Sequence, residues 1–295
     1  MRMGRKVGGF ERGGALAAAA TDGVRRPEAA RVTRQRGIIL KSAREIELMR
    51  AAGRVVHRVL ERMHELAKPG VTTGELNDAA EEMIAVAGAT PLFKGVENPQ
   101  AAFAFPAALC ASVNEQLVHG IPGSRRLNEG DIVSIDCGVR LAGYCGDAAT
   151  TIPIGTVSPE NWRLIDVTRR ALELAIAAIR PGRKWSEVAK GVQKFVESEG
   201  FSVVRDFVGH GIGRDMHEEP KVPNYWDGRN PRLDFQLVPK MVLAVEPMVN
   251  AGGHLVDFAG DDRWVVVTRD RKNAAHMEHT VAVTETGCDV LTDGR

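Results

Sequence analysis

Two stretches of this chain repeat one another without a gap. Aligning Lys68-Pro69-Gly70 with Arg180-Pro181-Gly182 also matches Glu75 with Glu187, Met83 with Phe195 and Gly88 with Gly200. Further correspondences follow in the same order. His119-Gly120-Ile121 recurs as His210-Gly211-Ile212, the segment Ile132 to Asp136 as Val242 to Glu246, and Asp147, before Ala-Ala-Thr-Thr-Ile, as Glu278, before His-Thr-Val-Ala-Val. Any one match can arise by chance, but four kinds in one order point to an internal duplication. Such a chain must bury the apolar faces of two copies of one unit together. We therefore expect an α+β fold of two halves, each of helix, helix and antiparallel strands, related by a pseudo-twofold axis.

The punctuation supports that division. Ser42-Ala43-Arg44-Glu45 is a capping box, in which the serine hydroxyl and the glutamate side chain accept from amides of the first turn. It predicts a helix to about Ala67, broken by Pro69-Gly70. Thr72 and Glu75 form a second box, opening a helix that ends at Gly88. Ser158-Pro159 starts a third helix, which stops before Pro181-Gly182, and a fourth spans about Ser186 to Glu199 and ends at Gly200.

Composition limits the function classes. Thirty-nine basic against 38 acidic residues leave a net charge of +1, so no global field draws the chain to nucleic acid or anionic lipid. The four cysteines, Cys110, Cys137, Cys145 and Cys288, contain no C-x-x-C pair, which argues against a zinc finger or disulfide framework and for a reducing compartment. No apolar run approaches the ~20 residues of a membrane span. We expect a cytoplasmic monomer without membrane attachment. Residues 1 to 37 carry nine Arg or Lys against Glu11, Asp22 and Glu28 with no sustained apolar period, and read as a flexible basic extension to a domain over 38–295. A bland extension or a misassigned start codon is preferred to an organellar leader.

The chemistry lies in the acids. In Asp131-Ile132-Val133-Ser134-Ile135-Asp136, strand alternation sends Val133, Ile135 and Cys137 to a face that packs on helices and puts Ser134 and Asp136 on the other. Asp147 follows across a turn at Arg140 to Gly143, so a hairpin brings both acids together. Glu246 and Glu278 hold the corresponding places in the second half. Four ionised carboxylates in one partly buried pocket repel, so some must be protonated or cations must neutralise them. With His210, flanked by glycines expected to clear space around its ring, they suit a pair of Mn, Fe, Co or Zn ions.

The chain resembles the type I methionine aminopeptidases of the creatinase-like, pita-bread fold. The resemblance covers about residues 38 to 293. It is carried by Ser112-Val113-Asn114-Glu115, Val118-His119-Gly120-Ile121-Pro122, Gly130-Asp131-Ile132-Val133-Ser134-Ile135-Asp136, Gly209-His210-Gly211-Ile212-Gly213-Arg214, His217-Glu218-Glu219-Pro220, Glu246-Pro247-Met248-Val249-Asn250 and Glu278-His279-Thr280. It implies a curved antiparallel sheet with helices on its convex face, and two divalent metals held by Asp136, Asp147, His210, Glu246 and Glu278, with Asp147 and Glu278 bridging. It also implies removal of N-terminal methionine from nascent polypeptides when the second residue is small. The mechanism that the resemblance implies would have the metals acidify a water for attack on the carbonyl, with Glu246 accepting the proton, His217 stabilising the oxyanion and His119 orienting the scissile amide.

The methionine pocket implied by the resemblance comprises Phe93, Phe105, Cys110, Met216 and Trp264, beside a segment, Val96 to Ala104, that looks longer than in compact relatives. Cys110 reads as a pocket wall, because nothing in the sequence activates its thiol. His276 shares a strand face with Glu278 and reads either as an ordinary polar neighbour, which we prefer, or as a partner to a ligand. Two rivals remain. An X-Pro aminopeptidase or dipeptidase resembles the same metal frame but usually carries a large N-terminal domain; a nonenzymatic ribosome- or RNA-binding member would be expected to have lost ligands. The basic extension remains a candidate for phosphate contacts with the ribosome.

Overall fold

Helices form where the capping signals place them. The computed structural model describes residues 37–229 and 231–295, so all but the last residue of the basic extension lies outside the described residues. Helix α1 (Ala43–Leu66) opens on Ser42, whose hydroxyl accepts from the Glu45 amide while the Glu45 carboxylate accepts from the Ser42 amide. Helix α2 (Thr73–Val86) repeats the device with Thr72 and Glu75. Strands β1 (Thr90–Pro91), β2 (Leu109–Val113), β3 (Gln116–Val118), β4 (Ile132–Leu141) and β5 (Tyr144–Pro153) complete the first half. The second begins with α3 (Pro159–Ala178), capped by Ser158 with proline in its first turn, and α4 (Trp185–Ser198). Its strands are β6 (Ser202–Val203), β7 (Gly209–Gly211), β8 (Glu218–Val222), β9 (Val242–Val245), β10 (Met248–Asn250), β11 (Val256–Phe258), β12 (Val266–Thr268), β13 (Ala274–His276), β14 (Glu278–Val283) and β15 (Cys288–Val290).

Helices α2 and α4 have the same length and sit in the same gap-free alignment, each followed by a glycine of positive φ, Gly88 and Gly200. The fourth helix starts one residue before the expected Ser186. Its N-cap, Lys184, makes no side-chain bond; instead the Asp234 carboxylate accepts from both the amide and the hydroxyl of Ser186. A distant acid thus replaces a local cap, which spacing along the chain does not reveal.

Nine strands form one curved antiparallel sheet in the order β1-β4-β5-β14-β9-β7-β8, with β2 added to β4 and β15 to β14. Each helix pair covers the strands of its own half. Val55, Val56 and Val59 of α1 and Leu76 and Ile84 of α2 pack on Val133, Ile135 and Cys137 of β4. Leu164 and Val167 of α3 and Val188 and Val192 of α4 pack on Leu243, Val245, Val281 and Val283. Because side chains alternate, Asp136, Asp147, Glu246 and Glu278 are left on the opposite face.

An axis that exchanges Asp147 with Glu278 passes between β5 and β14 at the Ala148–His279 pair, next to the pair of Ala149 and Glu278. Under that axis two other correspondences do not hold at the same time. Asp136 faces Ala149, whereas the residue facing the equivalent Thr280 is Ala244; Glu246 follows Val245, the partner of His279, and is the counterpart of Gly138, which faces Asp147. The match of Ile132–Asp136 to Val242–Glu246 is thus one pleat out of step with the match of Asp147 to Glu278. A two-residue shift keeps every side chain on its face, so hydrophobic pattern alone cannot detect it. The His-Gly-Ile recurrence is likewise no structural repeat. His210 lies on β7 opposite Ala244 and has Cys110, opposite Asp136, as its counterpart, while His119 follows β3 with a φ of 58°.

Helix α1 lies unusually close to the sheet. A Cβ on Gly53 would stand 2.0 Å from the Leu291 carbonyl oxygen, and one on Gly146 2.7 Å from the Gly53 nitrogen. Helix propensity alone predicts that Gly53→Ala stabilises by about 0.5–1 kcal/mol. We expect the collision to prevail, with a net destabilisation of roughly 1–3 kcal/mol, read as a lower urea midpoint at unchanged m-value; a raised midpoint would contradict the close packing.

Candidate metal centre

The β4·β5 hairpin and β14 carry three acids on the free face of the sheet. Asp136 and Glu278 both flank Ala149, and Asp147 lies opposite Gly138. That glycine lets the site close: a Cβ there would stand 2.9 Å from Leu92 Cδ1, 3.0 Å from Asp147 Oδ1 and 3.1 Å from the Phe93 ring. Thr280 fixes Asp147 from the other side, its hydroxyl donating to the Asp147 carbonyl at 2.8 Å and accepting from the Asp147 amide at 3.0 Å. Gly138 and Thr280 were not singled out from sequence. The available signal was Thr280 standing two residues after Glu278, on the same strand face.

His210 enters from β7. Its Nδ1 lies 2.9 Å from the Gly211 carbonyl, so Nδ1 carries the proton and Nε2 is the free donor pair, 3.5 Å from Glu246 Oε1. The flanking glycines do not clear space around the ring as expected. A Cβ on Gly209 would meet the Ala244 carbonyl oxygen at 2.3 Å, and one on Gly211 the Glu219 carbonyl oxygen at 2.2 Å, so they admit close backbones on both sides of β7. Glu246 stands between two histidines, its Oε2 lying 3.6 Å from Nε2 of the buried His276.

Donor atoms of Asp147, His210 and Glu278 lie within 4.8 Å of one another, as do those of Glu246, His276 and Glu278. Glu278 is common to both groups. Asp136 joins neither, yet interacts directly with Asp147. All five residues expected as ligands therefore converge, with His276 among them. Asp136 Oδ1, Asp147 Oδ1, Glu278 Oε1 and His276 Nε2 are buried without a hydrogen-bond partner. Orphaned acid oxygens beside a nitrogen donor fit divalent cations.

Electrostatics agree. Burial, then repulsion from Asp147 and Glu246, holds the Asp136 carboxyl far above the usual range. Burial, then Asp147, Glu246 and Asp136, does the same to Glu278, and burial followed by Glu246 raises Asp147 to about 8. Protons or metal ions must therefore occupy this cluster near neutrality.

The acids form the floor of a cavity of about 280 Å³. Phe93, Phe105, Cys110, Met216 and Trp264 all line it as expected, joined by Val96, Phe207 and Met248. Phe105 meets Trp264 edge-on at 5.2 Å. The long segment after Phe93 is closed at its base, where the Phe105 amide donates to the Val96 carbonyl, and pinned further out by Trp264 Nε1 donating to the Phe103 carbonyl. Burial, then Asp136 and Asp147, pushes the Cys110 thiol up, which suits a wall and not a nucleophile. His119 and His217 also face the cavity. Burial depresses His119 to about 4, against an opposing pull from Glu246, and lowers His217, which packs edge-on against His210 at 4.4 Å. Both imidazoles are thus neutral near pH 7.

The model of metallopeptidase family M24 matches residues 47–285. Methionine aminopeptidase 1 of Bacillus subtilis is 48% identical over 256 residues, 86% of this chain and 99% of that protein. The crystal structure of methionine aminopeptidase from Thermotoga maritima superposes with a TM-score of 0.80 at 40% identity, over 86% of this chain and 99% of that one. Prolidase from Pyrococcus furiosus, at 21% identity and a TM-score of 0.68 over 86% of this chain and 65% of that one, shares the fold.

Acids with raised pKa values bind protons that a metal must displace. Loading the metal-free protein with Mn(II) at pH 7 should release at least about one proton per chain, with affinity rising with pH. Calorimetry in buffers of different ionisation enthalpy measures this, and a buffer-independent heat would contradict it. Since folding raises these pKa values, the metal-free protein should also lose stability as pH rises from 3.8 toward about 8.

Proposed function

From the premise that the chain belongs to metallopeptidase family M24, we propose that it removes the N-terminal methionine from polypeptides whose second residue is small. The observation that carries this reading is a cavity walled by aromatic and sulfur-bearing side chains whose floor is the acid and histidine cluster. The near full-length match to methionine aminopeptidase 1 of Bacillus subtilis supports it.

Asp136, Asp147, His210, Glu246 and Glu278 would hold two divalent ions, Co, Fe, Mn or Zn. Such ions supply Lewis acidity at the scissile carbonyl and an acidified water. The rest of the chemistry falls to side chains. Phe93, Phe105, Met216 and Trp264 receive the flexible thioether, for which sulfur-aromatic contacts are favourable. Glu246, partly exposed between His210 and His276, accepts the proton released as the nucleophile forms. His217, neutral and at the cavity wall, donates to the developing oxyanion. His119, also neutral, orients the scissile amide and assists the leaving amine. The free amine of the substrate would offer such an ion a ligand that an internal peptide bond lacks, which would account for exopeptidase action.

The likeness to a prolidase concerns the fold, and full coverage of the methionine aminopeptidases leaves no comparable support for an X-Pro enzyme. Retention of all five ligand types disfavours a nonenzymatic binding role. Among the described residues no helix is long and apolar enough to cross a membrane. Cytoplasmic location, a monomeric state and a basic extension over residues 1–37 that touches ribosomal RNA complete the proposal.

Reconstituted with divalent metals, the protein should cleave Met-Gly peptides, spare Met-Lys and leave Gly-Pro intact; cleavage of Gly-Pro alone would overturn the reading. Glu246→Gln should lower kcat by about 10³-fold or more, because it removes a charged ligand and the proton acceptor together. His119→Ala should slow turnover by roughly 10²-fold at unchanged metal content. Metal analysis separates the roles, since a loss of metal from the His119 variant would make that residue a ligand.

A further inference from the structure

We propose that Lys41 and Glu218 form a buried positioning pair that sets the His217 imidazole for the peptidase reaction, an inference that rests on the proposed function and deepens it. Lys41 Nζ donates to Glu218 Oε2 at 2.6 Å and to the Ile39 carbonyl at 3.0 Å. The two side chains are only 3% and 6% exposed. The other carboxylate oxygen of Glu218 accepts from the Arg214 amide at 3.0 Å, closing the turn that carries Met216 and His217. One carboxylate therefore joins the start of the domain to the turn beside the cavity.

The surroundings leave this arrangement little freedom. A Cβ on Gly213 would lie 2.3 Å from both Glu218 Oε1 and Lys41 Cε, so the pair fills the space beneath the turn. The Gly213 carbonyl accepts from the Cys145 amide at 2.8 Å, and the Lys41 amide donates to the Lys240 carbonyl at 2.8 Å. Both ends of the clasp are thus tied to separate parts of the frame. Glu218 opens β8 and directly follows His217, the last residue of the turn. His217 faces the cavity and packs on His210, while Glu218 and Lys41 stand behind it, outside the cavity lining.

A buried ion pair is a poor source of net stability, because well-packed apolar residues often serve as well. What this pair supplies is a fixed backbone at the residue before Glu218. Donors to a developing oxyanion act only when held in place, and a displacement of about 1 Å can cost on the order of 10²-fold in rate. Neither Lys41 nor Glu218 touches substrate, so they position His217 and do not replace it.

The test is a cycle of the parent, Lys41→Met, His217→Ala and the double variant, assayed for kcat and KM on a methionyl peptide, with metal content measured for each. Lys41→Met should lower kcat on the order of 10–100-fold at unchanged metal content and little-changed KM. In the His217→Ala background the same substitution should change kcat by less than about twofold. Glu218→Gln, which keeps the side-chain shape, should behave alike and is read in the same cycle if Lys41→Met does not fold. Recurrence of the full loss without His217, or folded Lys41→Met and Glu218→Gln proteins with parental kcat, would overturn the proposal. Inactivity of the parent would instead count against the peptidase reading. The His217 imidazole resonances, readable by NMR whatever the chain hydrolyses, should move in Lys41→Met, and unchanged resonances would overturn the positioning role.

Discussion

Asp147 and Glu278 lie diagonally across the β5·β14 junction, both buried and both short of a partner for one oxygen. Each half of the molecule contributes one, from strands that its own helix pair covers from behind. Bringing such acids together costs free energy that only protons or cations offset. Much of the local structure holds them in this state: the Thr280 hydroxyl bolted to the Asp147 backbone, the missing side chain at Gly138, and the His210 tautomer fixed by the Gly211 carbonyl.

The two halves are not chemically equivalent, and the site depends on that. Across the sheet one row runs Cys110, Asp136, Ala149, Glu278, with Glu246 just beyond; its twofold counterpart runs His210, Ala244, Thr280, Asp147, with Gly138 at the end. The side of Gly138 and Cys110 is open to Phe93 and forms the pocket wall. The other side carries the nitrogen donor and the acid that stands between histidines. Under the proposed function, this symmetric frame would serve a directional reaction, with side-chain recognition at one edge of the acid floor and proton handling at the other.

Sequence reasoning located the helices well, because capping boxes and stop glycines act within a few residues. It also found the acids, since alternation along a strand assigns faces without knowledge of the partner strand. It paired Asp136 with Glu246 and Asp147 with Glu278 although the ladders set those two matches one pleat apart, because period-two patterns are blind to two-residue shifts, and it treated His119 as a counterpart of His210. The Asp234 cap on α4, the Thr280 bolt and the Lys41 clasp escaped for a related reason: each joins residues far apart in the chain, and only the folded backbone brings them together. The roles of Gly209 and Gly211 were likewise assigned to the His210 ring when neighbouring backbones require them.

The central claim is that this acid cluster exists to hold two divalent ions shared by Asp147 and Glu278. Anomalous diffraction at the manganese edge from crystals grown with Mn(II) tests it most directly. The account predicts two strong peaks, both in contact with the carboxylates of Asp147 and Glu278, and one of them in contact with His210 Nε2. Strong peaks elsewhere on the molecule, with none between those two carboxylates in a crystal that has taken up the metal, would contradict it.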